Sequence, residues 1–450
     1  MTLSPEQELV IQKYREGKNV FVTGPGGTGK SYLMREIIQD AARENKRLQV
    51  CATSGRSAVL LNCGARTIHS WSGVRIPRGS NEEIIAKATR RRITKKAWKS
   101  VDILIIDEVS MMSLKLFEIL NDIGKITRGN YGRIFGGIQL IFIGDFFQLP
   151  PIGDEGDEDS SRYCFESELW RQAFAQEDHI KLTKIFRQNE ERFIKVLNQV
   201  REGRITRSSH EALTQLVGRE YVDTENTGIV PVRLFPIRAS AEAFNAQMFN
   251  KIDGEVVEYG CKKNTNTRTF LEDGMPIPPE MINDFRTVPR EIIEYEIKSL
   301  IDSSPCVETL SLKVGTNVML TYNLNVESGL CNGSLGTVVG FEGGVLRRPI
   351  VRFTAGQTVP IDPVSYQSTN YPCISFSQIP LKHAWGLTIH SSQGATLDMA
   401  EIDIGSGIFA VGQTYVALSR VKSMDGLYLS GYDPSKIKVS KKVIEFYSGF

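Results

Sequence analysis

Histidine is scarce in this chain, with five in 450 residues, and its seven cysteines are scattered at 51, 63, 164, 261, 306, 331 and 373 without a C-x-x-C pair. No histidine stands at ligand spacing to a cysteine, which argues against a zinc site. Unpaired, dispersed thiols read as reduced cysteines in a reducing compartment. Long apolar runs are also missing. No stretch approaches the ~20 apolar residues of a membrane span, and Met1–Gln7 holds no signal-peptide core. The expectation is an intracellular protein. Net charge is only +2, so a nucleic-acid surface would be a local groove and not a global basic field. What is present is ample apolar material, 41% of the chain, over a length that suggests about three domains.

The stretch around which the chain is organised is Gly24–Ser31, G-P-G-G-T-G-K-S, which fits G-x-x-x-x-G-K-[ST] at every fixed position. Asn19–Thr23 before it reads as a buried strand, and Tyr32–Ile38 after it has helical spacing. That is the strand–loop–helix context the motif requires. Its glycines let backbone N–H groups turn around a phosphate chain, and the helix N-terminus adds its dipole. Lys30 would reach the β- and γ-phosphates, and the Ser31 hydroxyl would hold Mg²⁺. The loop thus points to a phosphate chain with Mg²⁺.

Upstream, Ser4, Pro5 and Gln7 form a helix-start signal. Gln7 has two readings, an amide that closes the capping box or one that reads an adenine edge. Leu48–Ala52 reads as a second strand, followed by the hydroxyl-rich Thr53–Ala58, either a phosphate clamp or a helix cap. Thr67–Trp71 combines hydroxyls, His69 and an aromatic, which suits packing as well as recognition. Residues 72–100 change character: Gly, Pro and Ser cluster at 72–80, then come Arg90–Arg92 and Lys95–Lys96. This is an insertion whose cations either touch nucleic acid or face solvent.

Val101–Ile106 is a buried strand ending in Asp107-Glu108. Carboxylates at a parallel strand's C-terminal end sit where ligands bind; Asp107 suits Mg²⁺ and Glu108 suits an attacking water. Ile138–Ile143 is a further strand, running into Gly144–Pro151, where Gln148 either senses the γ-phosphate or makes a turn. Asp154–Asp159 is acidic and reads as a mobile surface loop. Lys181–Gln188 opens a new unit with Arg187. Residues 314–353 read as short strands, with Asn332-Gly333 as a hairpin dipeptide, and suggest a small barrel. Residues 254–307 give no clear element.

Together these residues resemble a superfamily 1B DNA helicase, of the petite-integration-frequency (PIF) family. The resemblance runs from Leu3 to about Leu429. It rests on G-D-F-F-Q-L-P-P at 144–151, D-E-V-S at 107–110, T-I-H-S at 67–70, F-R-Q at 186–188, T-I-H-S-S-Q-G at 388–394 and Y-V-A-L-S-R at 415–420, in order with the phosphate loop. It implies an α/β fold of two RecA-like parallel-sheet domains, with a small wedge insertion in the first and a Src-homology-type β-barrel insertion in the second. The implied boundaries are 1–178 with the wedge near 72–97, then 179–253 with 379–450, and 254–378 for the inserted domain.

The implied site follows residue by residue. Lys30, Asp107, Glu108, Gln148, Arg187 and Arg420 match the catalytic set. Gln7, Gly24, Gly26, Gly27, Thr28, Gly29, Lys30, Ser31, Gln393 and Gly394 match the nucleotide-binding set, with Ser31 and Asp107 on Mg²⁺. Thr53, Ser54, His69, Ser70, Thr388, His390 and Ser391 fall in motifs that line the DNA channel. The implied activity is ATP-driven 5′-to-3′ travel on single-stranded DNA, unwinding duplex or G-quadruplex. The implied partners are single-stranded and forked DNA, met by a monomer with no membrane role; the implied place is nucleoid, cytoplasm or nucleus according to source. Two departures stand out. Ser391 replaces the family's lysine, removing a positive charge, and Thr53-Ser54-Gly55 replaces P-T-G. A RecD-like or phage-type helicase is the near alternative, which F-F-Q-L-P-P opposes. A non-unwinding NTPase switch or DNA-binding module is the distant one.

Overall fold

The computed structural model describes residues 3–61, 63–74, 79–222, 230–264, 290–304, 306–325, 330–344, 346–354, 356–368, 371, 374–405 and 407–450. Part of the 72–80 cluster, residues 265–289 of the unassigned stretch, and Cys373 lie outside them. The fold is mixed α/β, with parallel and antiparallel sheets. It divides into two compact units, Met1–Arg219 with Asp398–Phe450, and Glu220–Leu397. This divide does not coincide with the expected boundaries at 178, 253 and 378.

In the first unit, six parallel strands form one sheet: β1 (Val20–Thr23), β2 (Leu48–Ala52), β3 (Arg66–Thr67), β4 (Ile103–Asp107), β5 (Gln139–Ile143) and β6 (His179–Lys181). Their order is β3-β2-β4-β5-β1-β6. β1 is buried at all its positions, and its alternating side chains feed two cores. Val20 and Val22 join Leu33, Ile37, Ile105 and Ile141 on one face. Phe21 joins Phe117, Phe142, Phe146 and Trp170 on the other. Because β5 lies between β1 and β4, the three motif-bearing strand ends stand side by side, which is where such sheets bind ligands.

Two helices frame the loop after β1. Helix α1 (Pro5–Arg15) starts with the full capping box between Ser4 and Gln7. Helix α2 (Lys30–Arg43) begins after Gly29, whose φ of +80° needs no side chain. The segment 398–450 belongs to this unit through an aromatic contact that sequence periodicity does not reveal. The helix Lys441–Tyr447 buries Val443 and stacks Phe446 on Phe165, with ring centroids 4.3 Å apart. A parallel pair, Ala400–Ile404 with Leu427–Tyr432, precedes it.

The insertion forms two helices, Asn81–Arg90 and Arg92–Ser100. Trp98 is fully buried, its ring 4.7 Å from Trp71, and its Nε1 donates to the Ser72 carbonyl. Arg90, Arg91, Arg92, Lys95, Lys96 and Lys99 are exposed on the outer side. The acidic stretch 154–159 lies at the surface, as expected, and makes contacts of its own. Asp157 accepts from Lys115 at 2.5 Å, and the Ser160 hydroxyl accepts from the Asp154 N–H at 2.7 Å.

The second unit holds a five-stranded antiparallel sheet in the order Thr358–Pro360, Pro349–Phe353, Leu335–Phe341, Asn317–Leu320, Leu381–His383. Val318, Leu320, Val338, Val351 and Leu381 form its core. The strands expected over 314–353 are there, but Asn332-Gly333 is not a two-residue hairpin turn. The strands it separates end at Leu320 and resume at Leu335, so the dipeptide is the tail of a longer loop. A parallel pair, Val232–Phe235 with Gly386–Thr388, completes the part relevant below.

Candidate active site

The phosphate loop wraps its own lysine. Lys30 Nζ donates to the carbonyls of Gly24 at 2.8 Å and Pro25 at 2.9 Å. Burial pushes its ammonium pKa down, while Asp145, Glu108 and Asp107 act in the opposite sense. A buried cation held by carbonyls next to carboxylates is poised for an anion with several negative oxygens. Thr28 Oγ1 closes the loop on the Pro25 carbonyl. Ser31 is exposed at the start of α2.

Gln7 realises the capping reading and more. Its Oε1 accepts from the Ser4 N–H, and its Nε2 donates to the Thr28 carbonyl at 3.3 Å. The amide is 1% exposed and braces the phosphate loop. One amide N–H and acceptor lone pairs remain for a base edge.

Asp107 ends β4, and Glu108 follows it. The Glu108 N–H donates to Asp107 Oδ1 at 2.9 Å. Burial first, then Glu108, raises the Asp107 carboxyl to about 7. Glu108 itself has φ +55°, a left-handed conformation rare for a residue with a side chain and common at functional sites. Its carbonyl accepts from Thr53 Oγ1 at 3.0 Å. The turn is pressed against Gly144, where a Cβ would lie 2.8 Å from the Val109 nitrogen. Gln148 is buried in the neighbouring turn, its N–H on the Asp145 carbonyl.

Both expected arginines stand at this loop. Arg187 Nη1 donates to the Ser419 carbonyl at 3.1 Å, which joins the F-R-Q segment to the segment carrying Arg420. Arg420 is 2% exposed and donates to the Val416 carbonyl and Ser419 Oγ. A Cβ placed on Gly26 would sit 3.4 Å from Arg187 Nη1 and 3.6 Å from Arg420 Nη2, so the loop backbone runs directly under both guanidiniums. Burial, then repulsion from Arg420, pushes Arg187 down to about 9; burial lowers Arg420 as well. Two guanidiniums set over a phosphate loop match a site for a negatively charged transition state.

Three supports were not legible in the sequence. Tyr415, in the Y-V-A-L-S-R segment, accepts the Gly26 N–H at 2.9 Å through its hydroxyl. Arg201 meets Asp145 at 2.8 and 2.9 Å, with both side chains buried. Tyr447 accepts the Phe146 N–H, bonds Thr23 Oγ1 at 2.6 Å and stacks on Phe147. Only Asp145 left a signal: a lone acid after a buried strand calls for a cationic partner.

The expected DNA-motif residues are divided between the units. In the first, Ser54 Oγ accepts the Ser57 N–H at 3.1 Å at the start of a short helix, the cap reading. Thr67 caps the next helix, and His69, half-buried there, has its pKa lowered by burial; Ser70 is exposed. In the second unit, Ser391 is bonded locally: its N–H donates to Thr388 Oγ1 at 2.9 Å and its hydroxyl to the Thr388 carbonyl at 3.0 Å. His390 is exposed, Gln393 buried, and Gly394 has φ +80°. Gln393 and Gly394 lie in this unit, and the phosphate loop lies in the other.

Comparison with known proteins gives a consistent result. The PIF1-like helicase family matches residues 2–211, and the 2B domain of DNA helicase Pif1 matches 297–341. The ATP-dependent DNA helicase PIF1 of Xenopus laevis is 34% identical over 99% of this chain. The crystal structure of Pif1 helicase from Candida albicans is 33% identical, covers 100% of this chain and 99% of its own, and has a TM-score of 0.76. Pif1 helicase from Bacteroides in complex with ADP-AlF3 and ssDNA is 25% identical with a TM-score of 0.64, covering 100% of this chain and 97% of that one. The chain spans 64% of the length of the Xenopus relative.

Proposed function

Since this chain belongs to the PIF1-like helicase family, we propose that it is an ATP-dependent DNA helicase that travels 5′ to 3′ on single-stranded DNA and opens duplex or G-quadruplex ahead of it. The observation that carries the reading is the convergence at one loop of Lys30, the Asp107–Glu108 pair, Arg187 and Arg420. The curated relative from Xenopus is named an ATP-dependent DNA helicase, and the Bacteroides structure holds a nucleotide mimic with single-stranded DNA.

In this reading Lys30 and the loop amides hold the β- and γ-phosphates, and Gln7 offers its remaining amide groups to the adenine. Asp107 and Ser31 supply oxygen donors for Mg²⁺. The donor set fits: among the described residues no group of three or more His, Cys, Asp or Glu could hold a metal alone, and Mg²⁺ is ordinarily held by one or two carboxylates plus substrate phosphates. The raised Asp107 carboxyl is the kind of group that a divalent cation would return to its charged form. When bound, the ion neutralises developing phosphate charge.

Glu108 orients the attacking water, Gln148 senses the γ-phosphate, and Arg187 with Arg420 stabilises the transferring group. Ser54, His69, Ser70, Thr388, His390 and Ser391 are proposed to face the strand. The two-RecA partition, with the insertion at 72–97 as a wedge, belongs to the same proposal, as does action as a monomer on forked DNA.

The test is ATP-dependent unwinding of two duplexes, one with a 5′ single-stranded tail and one with a 3′ tail, with Lys30→Ala as the blank. Opening of the 5′-tailed substrate alone is expected. Opening of only the 3′-tailed one would overturn the direction, and strand-stimulated turnover without opening would overturn unwinding.

A further inference from the structure

Resting on the proposed ATP hydrolysis, we propose that Thr53 is a positioning residue for Glu108, and that its hydroxyl proton serves the hydrolytic site and not the DNA backbone. A threonine hydroxyl carries one proton. Here that proton goes to the Glu108 carbonyl at 3.0 Å. A DNA phosphate offers only acceptors, so the same hydroxyl cannot donate to it at the same time.

The acceptor is no ordinary carbonyl. Glu108 sits at φ +55°, and such a conformation persists only where its surroundings over-determine it. Three contacts do so. The Glu108 N–H is held by Asp107 Oδ1. The following residue is pressed on Gly144, where no Cβ fits. The carbonyl is held by Thr53 and by the Met111 N–H. Two of these contacts come from other strand ends: Gly144 follows β5, and Thr53 follows β2, which pairs β4 in parallel with Ala52 opposite Asp107; of the two, only Thr53 bonds Glu108 itself. The hydroxyl therefore fixes which way the Glu108 side chain leaves the turn. It is also the direct link from the hydroxyl-rich loop 53–58 to the carboxylate that orients the water.

Two variants test this: Thr53→Val, which keeps the shape and removes the hydroxyl, and Thr53→Ser, which keeps the hydroxyl and removes the methyl. ATP turnover would be measured at saturating single-stranded oligonucleotide, with oligonucleotide affinity measured separately by fluorescence anisotropy without nucleotide. The expected result for Thr53→Val is a kcat lowered about tenfold, the geometric cost of a misplaced catalytic group. Its KM for ATP and its oligonucleotide affinity stay within about twofold. Thr53→Ser, which keeps the proton, returns kcat to within about twofold of wild type. Weakened oligonucleotide binding, with kcat recovered at saturation, would overturn the proposal and return Thr53 to the DNA backbone. A Thr53→Val enzyme with wild-type kcat would overturn it too. Should the valine variant not fold, Thr53→Ala replaces it under the same criteria. Absence of Lys30-dependent turnover in the wild type would remove the hydrolytic reading itself, and this inference with it.

Discussion

In the unit that carries the phosphate loop, Arg201 and Asp145 meet at 2.8 Å with side chains 2% and 0% exposed. In residues 220–397, Arg347 and Glu255 meet at 2.6 Å with side chains 43% and 69% exposed. The geometry is alike and the consequence is not. The surface pair is solvated whether or not it forms. The buried pair has given up water and has only its partner and its neighbours. Those neighbours belong to the site: Asp145 opens the turn that holds Gln148, and the Arg201 guanidinium lies 4.3 Å from the Phe147 ring centroid. The buried pair stands where chemistry is expected, whereas exposed pairs occur in both units, Arg47 with Asp102 in the first and Arg347 with Glu255 in the second. Crowded cations over the loop, Arg187 and Arg420, extend the same pattern.

The largest break in this contrast is expected at Arg420. In Arg420→Ala, the transition-state charge loses one of two guanidiniums, and turnover should fall ~10³-fold or more, as for removal of an arginine finger. Single-turnover hydrolysis at saturating ATP reads it. Arg420→Lys should recover little, because a lysine lacks the planar fork that donates to both Val416 and Ser419. A drop below tenfold would mean that Arg420 is structural and that Arg187 acts alone.

How much of this could be read beforehand follows from distance along the chain. The β1–loop–α2 unit was legible because strand, glycines, lysine and helix are contiguous, and each local preference agrees with the others. The capping box at Ser4 and Gln7 was legible for the same reason. The contacts of Tyr415 with Gly26, and of Tyr447 with Thr23, join residues hundreds of positions apart and leave no periodic trace. Asn332-Gly333 misled because the dipeptide fixes backbone preference and not loop length. The acidic stretch is exposed as expected, but the pairing of Asp157 with Lys115 leaves no local trace because Lys115 lies on a distant helix. Residues 398–450 join the first unit through aromatic stacking of Phe446, a surface that composition alone does not assign.

The next effect in size is on stability. Arg201→Met keeps bulk beside Phe147 but leaves the Asp145 carboxylate buried without its cation. Breaking such a pair from one side costs about 3–5 kcal/mol, and chemical denaturation of the variant should lose stability in that range. Replacing both partners, Arg201→Met with Asp145→Leu, should recover most of it, since no uncompensated charge remains. Turnover should not recover in the double variant, because the N–H of Phe147 also uses Asp145 Oδ1 and the Gln148 turn loses that anchor. Full recovery of both would show the pair to be packing alone.

The smallest effect is expected at the exposed pair, and it sharpens the contrast most. Glu255→Gln removes the charge that Arg347 meets through two hydrogen bonds. Both groups remain hydrated, and the Arg347 carbonyl still accepts from the Tyr259 hydroxyl whatever its side chain does. The unfolding midpoint should therefore stay within measurement error, at low salt and at high salt alike. Salt matters here because screening separates the two cases: an exposed pair is largely screened at physiological ionic strength, whereas a buried one is not. A clear loss of stability in Glu255→Gln that vanishes in high salt would show the surface pair to be part of a wider network, and burial would no longer be what separates the two pairs.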